Sequence, residues 1–139
     1  AYKYSKFFNC PIAMLDKRRD GNDDRAIGTT IIGDVKDKNA IIFDDEIDTA
    51  GSIIETVRVL EKSGAKAIYA ACTHGVLSGP AIERIQSSAI KELVITNTIP
   101  LTKEKQIDKI KVVSIAPLFA ETIKRLNEKK PLGELFERK

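Results

Sequence analysis

The sequence predicts a single α/β domain, residues 1–139, built on a mainly parallel sheet of five or six strands. Three observations carry that expectation. First, 139 residues with 42% hydrophobic and 31% charged content form a globular chain long enough to bury its own core. Second, short β-branched runs alternate with helical stripes, the signature of strand–helix–strand crossovers. Third, several of those runs are apolar throughout, as strands buried on both faces must be.

In chain order, residues 2–8 (YKYSKFF) read as the tail of a helix, broken by Asn9-Cys10-Pro11. A chain opening inside an element reads as a fragment. The runs Ile12–Leu15, Thr29–Ile32, Ala40–Phe43, Ala67–Ala71, Leu93–Thr96 and Ile110–Ile115 read as strands. Between the first two lies DKRRDGNDDRAIG, residues 16–28, which repeats with neither period and reads as a long polar loop. Ile53, Ile54, Val57 and Leu60 make a helical stripe, with Gly64 its stop. A second helix follows Ser78 or Gly79 as N-cap, with Pro80 in its first turn and Ile82 and Ile85 turned inward. A third runs from about Pro117 to Glu128, carrying Phe119, Ile123 and Leu126 on one side.

Composition excludes several classes. A net charge of +3 is too small to argue for nucleic acid. No apolar run approaches the ~18 residues of a membrane span, and the polar opening is no signal peptide. Two cysteines cannot scaffold a disulfide fold; Cys10 and Cys72 sit in apolar stretches and read as buried free thiols of a cytoplasmic protein.

Chemistry concentrates in residues 40–52, AIIFDDEIDTAGS. An apolar strand ends in Asp44 and Asp45, and a turn of small residues then opens a helix. Ligands of open parallel sheets bind at the carboxyl ends of strands, and a helix start favours an anion. Thr49 and Ser52 add hydroxyls, while Ala50 and Gly51 let a phosphate come close. Carboxylates repel phosphate but accept sugar hydroxyls or hold hydrated Mg²⁺. The outline is that of a sugar phosphate. Taken alone, Asp48 to Ser52 are better explained as a simple helix cap, but a cap does not explain the paired acids after a buried strand.

These residues, with GDVKDKNA before them and YAACTHGVLSGPAIERI after them, resemble the carboxyl-terminal half of the ribose-phosphate pyrophosphokinases. DKRR at 16–19, ITNTIP at 95–100 and KIKVVSIAPLFAETI at 109–123 match in the same order, so the resemblance runs from about Pro11 to Phe136. It implies a three-layer, phosphoribosyltransferase-like domain. It also implies transfer of diphosphate from ATP to ribose 5-phosphate with Mg²⁺ as cofactor, no nucleic-acid or membrane partner, and a homo-oligomeric parent enzyme. On this resemblance Asp48, Thr49, Ala50, Gly51 and Ser52 cradle the 5-phosphate. Asp44 and Asp45 hold the ribose hydroxyls and, through water, the metal; no direct metal ligand is expected. Lys17 and Arg19 are the catalytic cations of a mobile loop closing over the ATP phosphates, although Lys17-Arg18-Arg19 alone reads as a solvated charge run.

Family members are roughly twice this long, so the isolated chain is expected to be inactive. Glu46 stands where the family usually has an apolar residue, and Ser52 where Thr is commoner. Residues 131–136 lack the serines of a regulatory nucleotide site, although Phe136 could stack on a base, so ADP regulation is expected to be weak or absent. His74 reads as a hydrogen-bonded structural histidine, with substrate or subunit contact as alternatives. Two other functions stay open: a phosphoribosyltransferase that consumes the activated sugar, and a non-catalytic regulatory or scaffolding relative.

Overall fold

The computed structural model describes residues 2–19 and 26–135, with 17–19 and 26–29 described as backbone. A short helix α1 (Tyr2–Phe8) leads to strands β1 (Met14–Arg19) and β2 (Ala26–Ile32). Then follow β3 (Asn39–Ile47), α2 (Gly51–Lys62), β4 (Ala67–Gly75), α3 (Ala81–Ser87), β5 (Ile90–Thr96), β6 (Ile110–Val113) and α4 (Ala116–Asn127).

The α/β, mainly parallel architecture is present, but among the described residues the parallel sheet has four strands, ordered β3-β4-β5-β6. The first two strands pair antiparallel with each other instead, Met14 opposite Ile32 and Lys17 opposite Thr29. A cavity of about 480 Å³ lies between the hairpin base (Met14, Leu15, Ile31) and the start of β3 (Ala40, Ile42). The hairpin therefore flanks the sheet without joining its ladder.

The expected polar loop over residues 16–28 is corrected by the same pairing. Both strands run on into the charged segment, β1 as far as Arg19 and β2 from Ala26. The pairing is made between backbones, so charged side chains in the sequence do not end it. Residues 20–25 lie outside the described residues.

The core is one helix-covered face of the sheet. Ile53, Val57 and Leu60 of α2 and Ala81 and Ile85 of α3 bury against Ile68, Ala70, Leu93 and Ile95. Gly64, at φ +80°, ends α2 as its sequence position predicts, with its N–H donating to Glu61 O and that of Ala65 to Leu60 O. On the opposite face Tyr4 of α1 stacks on Phe43 at 3.9 Å between ring centroids, with Phe8 beyond it. α4 has no buried residue, and Phe119, Ile123 and Leu126 are all more than half exposed.

Two smaller expectations are corrected. Cys72 is buried but Cys10 is exposed, because the segment after α1 lies on the surface. α3 begins one residue later than a Gly79 cap implies and two later than a Ser78 cap implies: Pro80 is its N-cap and no side chain caps it. The Ser78 hydroxyl is engaged elsewhere.

Candidate active site

β3 carries Asp44, Asp45 and Glu46 at its carboxyl end, all exposed. The parallel register sets Asp44 beside Cys72 and Glu46 beside His74 of β4. Each aspartate folds one oxygen back onto the chain: Asp44 Oδ1 accepts the Asp45 N–H and Asp45 Oδ1 accepts the Glu46 N–H, both at 3.0 Å. Loss of water around the Asp44 carboxyl, then the neighbouring Asp45 side chain, push its pKa above the ordinary value. A cation would relieve that crowding, and hard carboxylate oxygens suit hydrated Mg²⁺, so the two acids fit the implied ion. Among the described residues, no group of three or more His, Cys, Asp and Glu side chains is arranged to hold a metal directly.

After Ile47 the chain turns through Asp48, Thr49 and Ala50 into α2. Ala50 is the hinge of that turn. It sits at φ 60°, ψ 11°, the left-handed region that costs a non-glycine residue about 1 kcal/mol or more. It is also 4% exposed, so its methyl packs inward while the backbone turns. No side chain caps α2, and this excludes the simple-cap reading of Asp48 to Ser52 among the described contacts. The first N–H groups of a helix have no intrahelical acceptor, so the exposed Gly51 and Ser52 present donors and a favourable dipole to an anion.

A second turn clasps the first. The N–H of Leu77 donates to Ile47 O and that of Ser78 to Asp48 O, both at 3.1 Å. The Ser78 hydroxyl donates to Asp48 Oδ1, and Arg84 Nη1 donates to the Thr49 carbonyl at 2.8 Å. Leu77 is itself left-handed, φ 52°, and 1% exposed. The contacts of Leu77, Ser78 and Arg84 with this turn are not legible in the sequence, because no local spacing links them to residues about 30 positions earlier.

His74 is hydrogen-bonded, as expected of a structural histidine: its Nδ1 lies 3.0 Å from Thr98 Oγ1, which donates to Thr73 O. Asp44, Asp45, Asp48, Thr49, Ala50, Gly51 and Ser52 thus lie together on one strand end and the turn after it. Lys17 and Arg19 lie on β1, outside that cluster of elements, and their side chains are outside the described residues, as is Phe136.

Residues 23–137 match the family described as the phosphoribosyl synthetase-associated domain. The chain is 53% identical over 135 residues to the ribose-phosphate pyrophosphokinase of Clostridium acetobutylicum, covering 97% of this chain and 42% of that one. It is 54% identical over 133 residues to the same-named protein of Caldanaerobacter subterraneus subsp. tengcongensis, again covering 42% of the relative. The crystal structure of phosphoribosylpyrophosphate synthetase from Mycobacterium smegmatis superposes with a TM-score of 0.84 at 39% identity, over 91% of this chain and 40% of that one. This chain therefore spans less than half the length of the relatives it matches.

Proposed function

The chain belongs to the phosphoribosyl synthetase-associated domain family, and from that premise we propose that it is the carboxyl-terminal, ribose 5-phosphate-binding half of a cytoplasmic ribose-phosphate diphosphokinase. The observation that carries this reading is the left-handed Ala50 turn, which joins the acids of β3 to an uncapped helix start. Phosphate and sugar preferences are thereby set side by side. The N–H groups and hydroxyls of Thr49, Gly51 and Ser52 donate to the 5-phosphate. Asp44 and Asp45 accept hydrogen bonds from the ribose hydroxyls, which orients the anomeric oxygen.

In the proposed reaction that oxygen attacks the β-phosphorus of ATP and forms a new P–O bond. The bond from the β-phosphorus to the bridging oxygen breaks, AMP leaves with the electron pair, and the hydroxyl proton passes to solvent. Such transfers are governed by positioning and by charge delivered to the phosphoryl oxygens. Lys17 and Arg19 are proposed to deliver it. Mg²⁺, held through water by Asp44 and Asp45, would neutralise the diphosphate.

The chain spans 42% of the length of the Clostridium acetobutylicum relative, and most of the ATP site is proposed to lie in the remainder of the parent protein. The isolated chain is therefore expected to release no AMP above an Asp48→Ala control, and AMP release above that control would overturn this part of the reading. The test of the reading itself is calorimetric titration of ribose 5-phosphate with Mg²⁺ present. Saturable binding that Asp48→Ala abolishes supports it; binding unchanged in Asp48→Ala contradicts it.

A further inference from the structure

We propose that Arg84, on α3, is a positioning residue that fixes the Asp48–Ser52 turn in its anion-accepting shape and thereby sets its selectivity for a phosphorylated ligand. This rests on the reading of that turn as a phosphate cradle.

Three observations lead there. The first is conformational. Ala50 holds φ 60°, and a non-glycine residue stays in the left-handed region only where its surroundings over-determine it. The Thr49 carbonyl belongs to the peptide unit that leads into Ala50, and Arg84 Nη1 holds that carbonyl at 2.8 Å. The bond spans 35 positions of sequence, so α3 governs the orientation of a peptide in the turn.

The second is electrostatic. Asp44, Asp45, Glu46 and Asp48 crowd four acids into five positions. A phosphate arriving there meets repulsion unless a cation lies close. Among the described residues, Arg84 is the basic side chain hydrogen-bonded to the turn. A β-carbon built on Gly51 would lie 3.6 Å from Arg84 Nη1, so the guanidinium stands beside the open face of that glycine.

The third is that the acid of the turn is held too. The hydroxyl of Ser78 takes Asp48 Oδ1, and its N–H takes the Asp48 carbonyl at 3.1 Å. A carboxylate tethered to Ser78 is not free to swing over the helix start. Arginine suits the other clamp because its planar fork is pre-organised and stays charged at any working pH.

The test compares ribose 5-phosphate and unphosphorylated ribose as calorimetric ligands of the chain, its Arg84→Gln variant and its Arg84→Lys variant, with melting temperature measured on each. Loss of the guanidinium that holds Thr49 and stands beside the open face of Gly51 predicts about tenfold weaker ribose 5-phosphate binding in R84Q. Affinity for ribose stays as in the unsubstituted chain, a split that a merely structural role would not give, while loss of the bond to Thr49 lowers the melting temperature by about 3–4 °C. R84K falls between the two, since an ammonium restores the charge but not the fork. Ribose 5-phosphate affinity in R84Q equal to that of the unsubstituted chain overturns the proposal and leaves the cradle reading standing. If R84Q fails to fold, R84K decides: affinity equal to the unsubstituted chain overturns it. Failure of the unsubstituted chain to prefer ribose 5-phosphate over ribose overturns the cradle reading, and the role of Arg84 falls with it.

Discussion

Gly75→Ala should destabilise the sheet where it meets the site. Gly75 ends β4 opposite Ile47, the residue before the acid turn. A methyl added there would lie 2.9 Å from Ile95 Cδ1, 3.2 Å from Cγ2 and 3.3 Å from Cβ. Rotation could withdraw Cδ1, but Cβ is fixed to the backbone of β5. Ile95 is also fully buried, and its strand pairs with β4 on one side and β6 on the other. Nothing can yield cheaply. Overpacking of this kind costs about 1–3 kcal/mol. At this chain length each kcal/mol lowers the melting temperature by about 3–4 °C, so the variant should melt about 3–12 °C lower. Circular dichroism melts of the chain, G75A, Ile95→Val and the double variant measure this directly. Ile95→Val alone should cost about 0.5–1.5 kcal/mol, and in the G75A background it should cost less or even gain, because it removes the colliding Cδ1. A G75A melt within about 1 °C of the unsubstituted chain, or strict additivity in the double variant, would refute the packing argument.

Asp44 should make stability fall as pH rises. Its folded pKa lies above the ordinary 3.8, so between the two values the folded chain binds more protons than the unfolded one. Asp44→Asn should therefore melt higher at neutral pH, with the gap closing as pH falls below 3.8; a gap independent of pH would contradict this. The two thiols should separate cleanly in a labelling time course. Cys10 is exposed and should react at once, whereas burial and then the charge of Asp44 push Cys72 up to about 11, so it should wait for denaturant. Lys109 Nζ donates to the Ile85, Gln86 and Ser88 carbonyls at 3.3, 2.8 and 2.6 Å, closing the carboxyl end of the short helix α3. Lys109→Met should cost about 1–2 kcal/mol by urea denaturation.

The parallel strands were legible because period and β-branching report burial directly, and α2 because Ile53, Val57 and Leu60 repeat with Gly64 to stop them. The acid turn was legible too, since its neighbours in sequence are its neighbours in space. The pairing of β1 with β2 was not. Charge in residues 16–28 mimics a loop, and a pairing made between two backbones leaves no alternation to read. Nor could the sequence reveal that α4 keeps Phe119 and Ile123 exposed, because an apolar stripe specifies a face and not its partner. The clamp of Ser78 and Arg84 on Asp48 and Thr49 was hidden for a different reason. Such contacts depend on how two crossovers return to one sheet edge, and no local pattern encodes that.

The central claim, that the turn after β3 is a ribose 5-phosphate cradle, is tested most directly by mapping amide shifts in a ¹⁵N-labelled chain during titration with that sugar. The account predicts saturable shifts concentrated at residues 44–52, largest at Gly51 and Ser52, with Thr49 following. Shifts that leave these amides unmoved and gather elsewhere, for instance around the cavity beside Met14 and Ile31, would contradict it.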